Sequence, residues 1–235
     1  MTFVRSVLVG LCAAALLGVP TAATATSPSA LEPRTSVASS RYDTSIRFLN
    51  FDSVRGYLSD TTIRGQVAAA VNNSQGAVRG VRVKLYRKIN GTTQWNYLQT
   101  RSTTQSDYPS FTFVAKSVAN ARYQVRYAGN TNLQPSRART TVLVYRHFHA
   151  SLEDGTGRFH GRVSPDYGSR RVNLQKRSCA ACGWHRVQSS QTGDRGGYSF
   201  TVGAPRNGRS FWRVSTPAST KYIRSSSGVF TTRRG

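Results

Sequence analysis

One pattern in this chain returns at a fixed offset, and it confines the protein to a duplicated fold. Val83-Lys84-Leu85 recurs as Val172-Asn173-Leu174, Trp95 as Trp184, and Tyr123-Gln124-Val125 as Trp212-Arg213-Val214, each displaced by 89 residues. Phe111-Thr112-Phe113 answers Tyr198-Ser199-Phe200 at an offset of 87. Ile63-Arg64-Gly65-Gln66-Val67 answers Phe159-His160-Gly161-Arg162-Val163 at 96, which implies a longer loop in the first copy around Asn72–Gly80. A conserved order of motifs with length changes confined to loops marks a repeated structural unit. The copies are expected to span 45–145 and 146–235.

Within each copy the hydrophobic period is two. Val81, Val83 and Leu85 alternate with Arg82, Lys84 and Tyr86, and Tyr123, Val125 and Tyr127 alternate with Gln124 and Arg126. In the second copy Val172 and Leu174 alternate with Arg171, Asn173 and Gln175. Such alternation belongs to strands with one buried face. Turn signals separate the runs, among them Asn90-Gly91, Gly129-Asn130 and Arg206-Asn207-Gly208. About seven short strands per copy, with a Trp expected to be buried in mid-chain, predict an all-β protein of two tandem antiparallel sandwiches. A small open barrel is the alternative.

The order G-x-V, V-x-L, turn, W, Y/F-S/T-F, Y/W-x-V resembles the Ig-like repeats of secreted proteins from high-GC Gram-positive bacteria. The Arg126-Tyr127-Ala128-Gly129-Asn130 ending of the first copy strengthens the likeness. The resemblance implies Ig-like sandwiches that act as spacers, adhesive units or carbohydrate-binding units. Its motifs are core and turn positions, so they bear on fold rather than on activity.

Upstream of the repeats, Met1–Ala25 has the layout of a secretory signal peptide. Arg5 supplies the positive end, Val7–Val19 an apolar or small-residue run, and Ala23-Thr24-Ala25 the cleavage pattern. A run of 13 residues is short for a membrane span, which needs roughly 20. No transmembrane segment is expected in the mature chain. Thr26–Thr44, with two Pro and five Ser, reads as a flexible tether. The mature protein is expected to be secreted, extracellular or cell-wall associated.

After removal of Cys12, Cys179 and Cys182 remain. They flank the hairpin turn that corresponds to Asn90–Thr93 of the first copy. Positions i and i+3 of a β-turn approach within about 7 Å, inside disulfide range, and an exported setting favours the bond. A redox Cys-x-x-Cys would need a following helix, and a closed zinc site needs four ligands, whereas His185 is the one nearby recruit and no second pair exists. A structural disulfide is the expectation.

His147, His149 and His160 form a weak candidate metal group, since alternation places all three on the outer faces of two neighbouring strands. No carboxylate is expected to orient them. Glu153-Asp154 and Asp166 fall in turn sequences, and neither a nucleophile elbow nor a phosphate loop occurs. No enzyme activity and no cofactor are expected.

Charge is the remaining signal. The chain has 33 Lys+Arg against 9 Asp+Glu, a net +24. Copy one carries +11 and copy two +12, so both sandwiches are basic in their own right. Strand alternation sets Arg82, Lys84, Tyr86, Gln124 and Arg126 on one outward face. Arg171, Asn173, Gln175 and Arg213 take the corresponding places in the other copy. Cations beside amides and rings suit a polyanion or an anionic glycan. The expected partners are an anionic cell-wall polymer, an acidic polysaccharide or an exported protein. Non-specific nucleic acid binding is compatible with the charge. A protein-interaction module, such as an adhesin or an inhibitor of an exported enzyme, is the alternative reading. Uniform use of Arg over Lys, 28 to 5, also fits a genome-wide bias with no dedicated site.

Overall fold

The computed structural model describes residues 41–71, 74–165 and 167–234. The expected signal peptide, and the tether as far as Ser40, lie outside the described residues. The described chain contains strands and no helix. The first half supplies β1 (Thr44–Phe51), β2 (Val54–Gly56), β3 (Asp60–Val71), β4 (Ser74–Ala77), β5 (Arg82–Ile89), β6 (Asn96–Ser102), β7 (Phe111–Lys116), β8 (Ala121–Tyr127) and β9 (Ser136–Tyr145). The second supplies β10 (His147–Leu152), β11 (Arg158–Ser164), β12 (Arg171–Arg177), β13 (His185–Gln191), β14 (Gly197–Thr201), β15 (Arg209–Thr216), β16 (Ser225–Ser226) and β17 (Phe230–Arg233).

Each half is a two-sheet sandwich. In the first, β1-β3-β4 with β7 beside β3 faces a sheet ordered β2-β9-β8-β5-β6. In the second, β10-β11-β14 faces β13-β12-β15-β16, with β17 also paired to β15. Pairing is antiparallel between the named strands except for β2, which runs parallel to β9. This sharing of strands between two sheets is the immunoglobulin-like arrangement, and it occurs twice.

Alternating residues fill two separate interiors. Ile63, Val67, Val83, Leu85, Phe113, Val125 and Val142 are fully buried in the first. Phe159, Val172, Leu174, Trp212 and Val214 anchor the second. Burying each large side chain stabilises by about 1.5–3 kcal/mol relative to exposure. A third, smaller cluster of Ala119, Val144 and Tyr222, with Tyr57 and Ile89 against it, joins the two halves.

Three expectations are corrected. The ordered fold begins before position 45, because Tyr42 bridges Leu133 and Asp43 accepts from the Ala70 amide. The long loop expected at Asn72–Gly80 contains β4, which pairs with the end of β3, while Asn72 and Asn73 lie outside the described residues. Trp95 and Trp184 are half-buried and lie outside the cores. The cause is a bulge repeated in both halves. The β5–β6 register shifts between Leu85 and Tyr86, and the β12–β13 register shifts between Leu174 and Gln175. One extra residue reverses the faces of all that lies beyond it. Tyr97 then stands beside outward Tyr86, and Trp95, two residues earlier, takes the outer side as well.

Candidate functional site: the basic outer sheet faces

Strands β5 and β8 are neighbours in one sheet, as are β12 and β15. The outward half of each ladder therefore forms a continuous surface. In the first sandwich one row runs Thr100, Lys84, Arg126, Arg137. The next runs Tyr97, Tyr86, Gln124, Arg139, and a third runs Lys88, Arg122, Thr141. With Arg82 at the edge, seven cations share this face. Among the described residues the carboxylate pairs of this sandwich are Arg55–Asp52, Arg79–Asp107 and Lys116–Asp60, and none involves any of the seven.

Rings and amides hold the cations in place. Arg126 lies 4.3 Å from the centroid of Tyr86, and its Nε donates to Gln124 Oε1 at 2.8 Å. Tyr86 meets Tyr97 edge-on at 5.8 Å. Lys88 and Arg139 approach Trp95 at 5.6 and 5.5 Å. Cations over aromatic faces gain about 0.5–1 kcal/mol at exposed sites and keep donors free for a ligand. A groove of about 700 Å³ follows Arg82, Lys84, Tyr86 and Arg126 toward Pro135 and Arg137. Gln124, expected on the solvent side, is instead buried at 0% exposure between Tyr86 and Arg139, its register neighbours.

The second sandwich repeats the device with other residues. Arg213 Nε donates to Gln175 Oε1 at 2.9 Å, and its guanidinium lies 4.3 Å from the Trp184 centroid. Arg177 approaches Trp184 at 4.6 Å and Phe211 at 5.3 Å. Burial, together with nearby Arg177 and Arg224, pushes the Arg213 pKa down. Asn173, Gln175, Arg186, Ser215 and Arg224 line a cleft of about 360 Å³. Arg171 is exposed at the start of β12. Thus Arg82, Lys84, Tyr86, Arg126, Arg171 and Arg213 all lie on the expected outer faces. Sequence reading missed Lys88, Arg122, Arg137 and Arg139, although Arg137-x-Arg139 and Arg122-x-Gln124 carry the same period of two. It also missed the two Trp platforms, which the bulges conceal.

The histidines do not converge. His147 Nε2 donates to the Tyr57 carbonyl at 2.7 Å, and its ring meets Tyr145 at 5.8 Å. His149 stands exposed opposite Arg162, and His160 opposite Ser151. Contrary to expectation, a carboxylate is near: His160 Nδ1 lies 3.4 Å from Glu153 Oε1. Among the described residues no three His, Cys, Asp or Glu side chains gather into a metal-binding group.

Cys179 and Cys182 form the expected disulfide across the β12–β13 turn, with Cα atoms 5.0 Å apart and the Cys182 amide donating to the Cys179 carbonyl. No helix follows it. Replacing both cysteines by serine is expected to lower the stability of the second sandwich by about 2 kcal/mol or less, on the chain-entropy model for so short a loop. Urea unfolding checks this. An unchanged midpoint removes any stabilising role.

Strand order and pairing define an all-β protein of two Ig-like sandwiches. No family model matches the chain, and no curated protein matches it. Among solved structures, the superoxide reductase (neelaredoxin) from Ignicoccus hospitalis is similar at 16% identity, over 43% of this chain and 80% of that one, with a TM-score of 0.34. The human OSCAR ligand-binding domain is similar at 17% identity, over 81% and 99%, with a TM-score of 0.29. The D0-D1 domain of intimin is similar at 13% identity, over 80% and 99%, with a TM-score of 0.27. These scores are low, and the fold assignment rests on strand order and pairing. Among the described residues no helix is long and apolar enough to cross a membrane.

Proposed function

We propose that this is a secreted, non-enzymatic Ig-like binding protein that associates with anionic polymers of the cell envelope through its basic outer sheet faces. One observation carries the reading: seven cations share the β6-β5-β8-β9 face without an ion pair among the described residues, beside rings and amides suited to sugar contacts. Phosphate-bearing wall polymers and acidic polysaccharides are the partner classes that match this chemistry. A field of this sign speeds encounter with anions and weakens as salt rises.

The test reverses Arg82, Lys84, Arg126, Arg171 and Arg213 to Glu and measures retention on isolated cell walls at low salt. Retention is expected to fall at least tenfold, and unchanged retention overturns the proposal. A protein-interaction module is the second reading, favoured by the stapled, exposed β12–β13 turn. Capture that survives about 0.5 M salt, where the screening length is roughly 4 Å, supports that reading over the first.

A further inference from the structure

Arg146 is the single residue between β9 and β10, and it is 3% exposed. Its backbone amide donates to Ser225 Oγ at 2.8 Å, which fixes the chain at the junction. Its guanidinium lies between two rings, 4.0 Å from the Tyr222 centroid and 4.8 Å from that of Tyr167. Tyr222 is itself held by its hydroxyl, which donates to the Val118 carbonyl at 2.9 Å. Nε and Nη1 of Arg146 are buried and make no hydrogen bond among the described residues. Rings satisfy the charge only in part, and buried guanidinium donors without acceptors are costly.

The surroundings add more positive charge. Arg146 lines a cleft of about 490 Å³ between the sandwiches, with Arg170 and Lys221 on its walls and Ser219 and Thr220 beside them. Arg170 approaches the same Tyr167 ring at 5.9 Å. No carboxylate among the described residues lines this cleft. The Asn120 amide and side chain hold the Lys221 and Thr220 carbonyls, so the cationic wall is anchored to the first sandwich.

We infer that this interdomain cleft binds a phosphate group, with Arg146 at its base and Arg170 and Lys221 closing on it. A planar five-donor fork suits a tetrahedral oxyanion, and three cations match a dianion better than a single carboxylate. The site is distinct from the outer faces and shares no residue with them.

The test is calorimetric titration of the chain lacking residues 1–25 with inorganic phosphate, glycerol phosphate and acetate, with sodium chloride at matched ionic strength as reference. Phosphate is expected to bind more tightly than acetate. Glycerol phosphate binding as tightly as inorganic phosphate assigns the ligand to an esterified phosphate, and weaker binding assigns it to the free ion. The Arg170→Gln/Lys221→Gln variant, with its fold checked by circular dichroism, is expected to lose at least tenfold in affinity, and Arg146→Met to lose binding. Should Arg146→Met not fold, the double variant decides alone. The outer-face charge reversal is expected to leave this binding intact, so the two proposals fail separately. Asp166, next to Pro165 in sequence, lies outside the described residues, and Asp166→Asn is titrated alongside. The inference is overturned by a response no greater than that to chloride, by an unchanged affinity in the double variant, by loss of binding in the outer-face variant, or by binding that appears only with Asp166→Asn.

Discussion

Replacing Gly161 with alanine is expected to destabilise the second sandwich by about 3 kcal/mol, the upper part of the usual range for overpacking. Gly65→Ala should do the same in the first. These are the equivalent glycines of the repeated G-x-V motif, on β11 and β3. A Cβ at Gly161 would press into the His149 carbonyl oxygen and come within 2.7 Å of the Tyr198 hydroxyl and 2.9 Å of Ala150 Cα. At Gly65 it would come within 2.5 Å of the Arg47 carbonyl oxygen and of Phe111 Cζ. The obstacles are backbone of the neighbouring strand and rings in or beside the core, neither of which can swing away. Strands β1 and β10 approach their partners closely only because no side chain intervenes there. In calorimetry the affected sandwich should melt roughly 12–24 °C lower, at 4–8 °C per kcal/mol for units of this size. Gly76→Ala is the control, since nothing lies within 4 Å of its Cβ position. Melting within about 2 °C of wild type in both core variants would refute this account of the motif.

Binding to a phosphate backbone should be steeply salt-dependent. If the seven cations of the first face engage a short DNA duplex, used as a charge probe of arbitrary sequence, affinity should fall by roughly 10³–10⁵ between 50 and 200 mM salt. Each phosphate contact removed should reduce the slope of log affinity against log salt by about 0.9. The variants Arg122→Gln and Arg139→Gln, from two different rows and outside the set first chosen for charge reversal, test whether the whole face takes part. A slope near zero, or one that neither variant changes, would mean that contact is made elsewhere.

Strand alternation made much of this architecture readable. Val83, Leu85, Val125, Val172 and Leu174 face inward as their period of two requires, and the 89-residue offset maps one sandwich onto the other. What stayed hidden depends on register or on distant contacts. A bulge leaves no mark in composition, so Trp95 and Trp184 read as core anchors when they are outer platforms for Lys88, Arg139, Arg177 and Arg213. β4 has only the sequence Ser-Gln-Gly-Ala, and its strand state comes from pairing with β3 rather than from propensity. Gln124 alternates like a surface residue yet is covered where the strands meet. Arg146 looks in sequence like any other arginine. Its burial depends on Tyr167 and Tyr222, the latter 76 positions further along the chain, and no local pattern contains them.

The one-residue passage from β9 to β10 leaves almost no slack between the halves. A polymer touching both cationic surfaces would meet two footholds at a set spacing, like rungs on a ladder. Its second attachment would then depend on the repeat length of the polymer more than on the reach of a linker. Such a protein would sort chains by the pitch of their charges, and inserting a few glycines at the junction would turn that gauge into an indiscriminate grip.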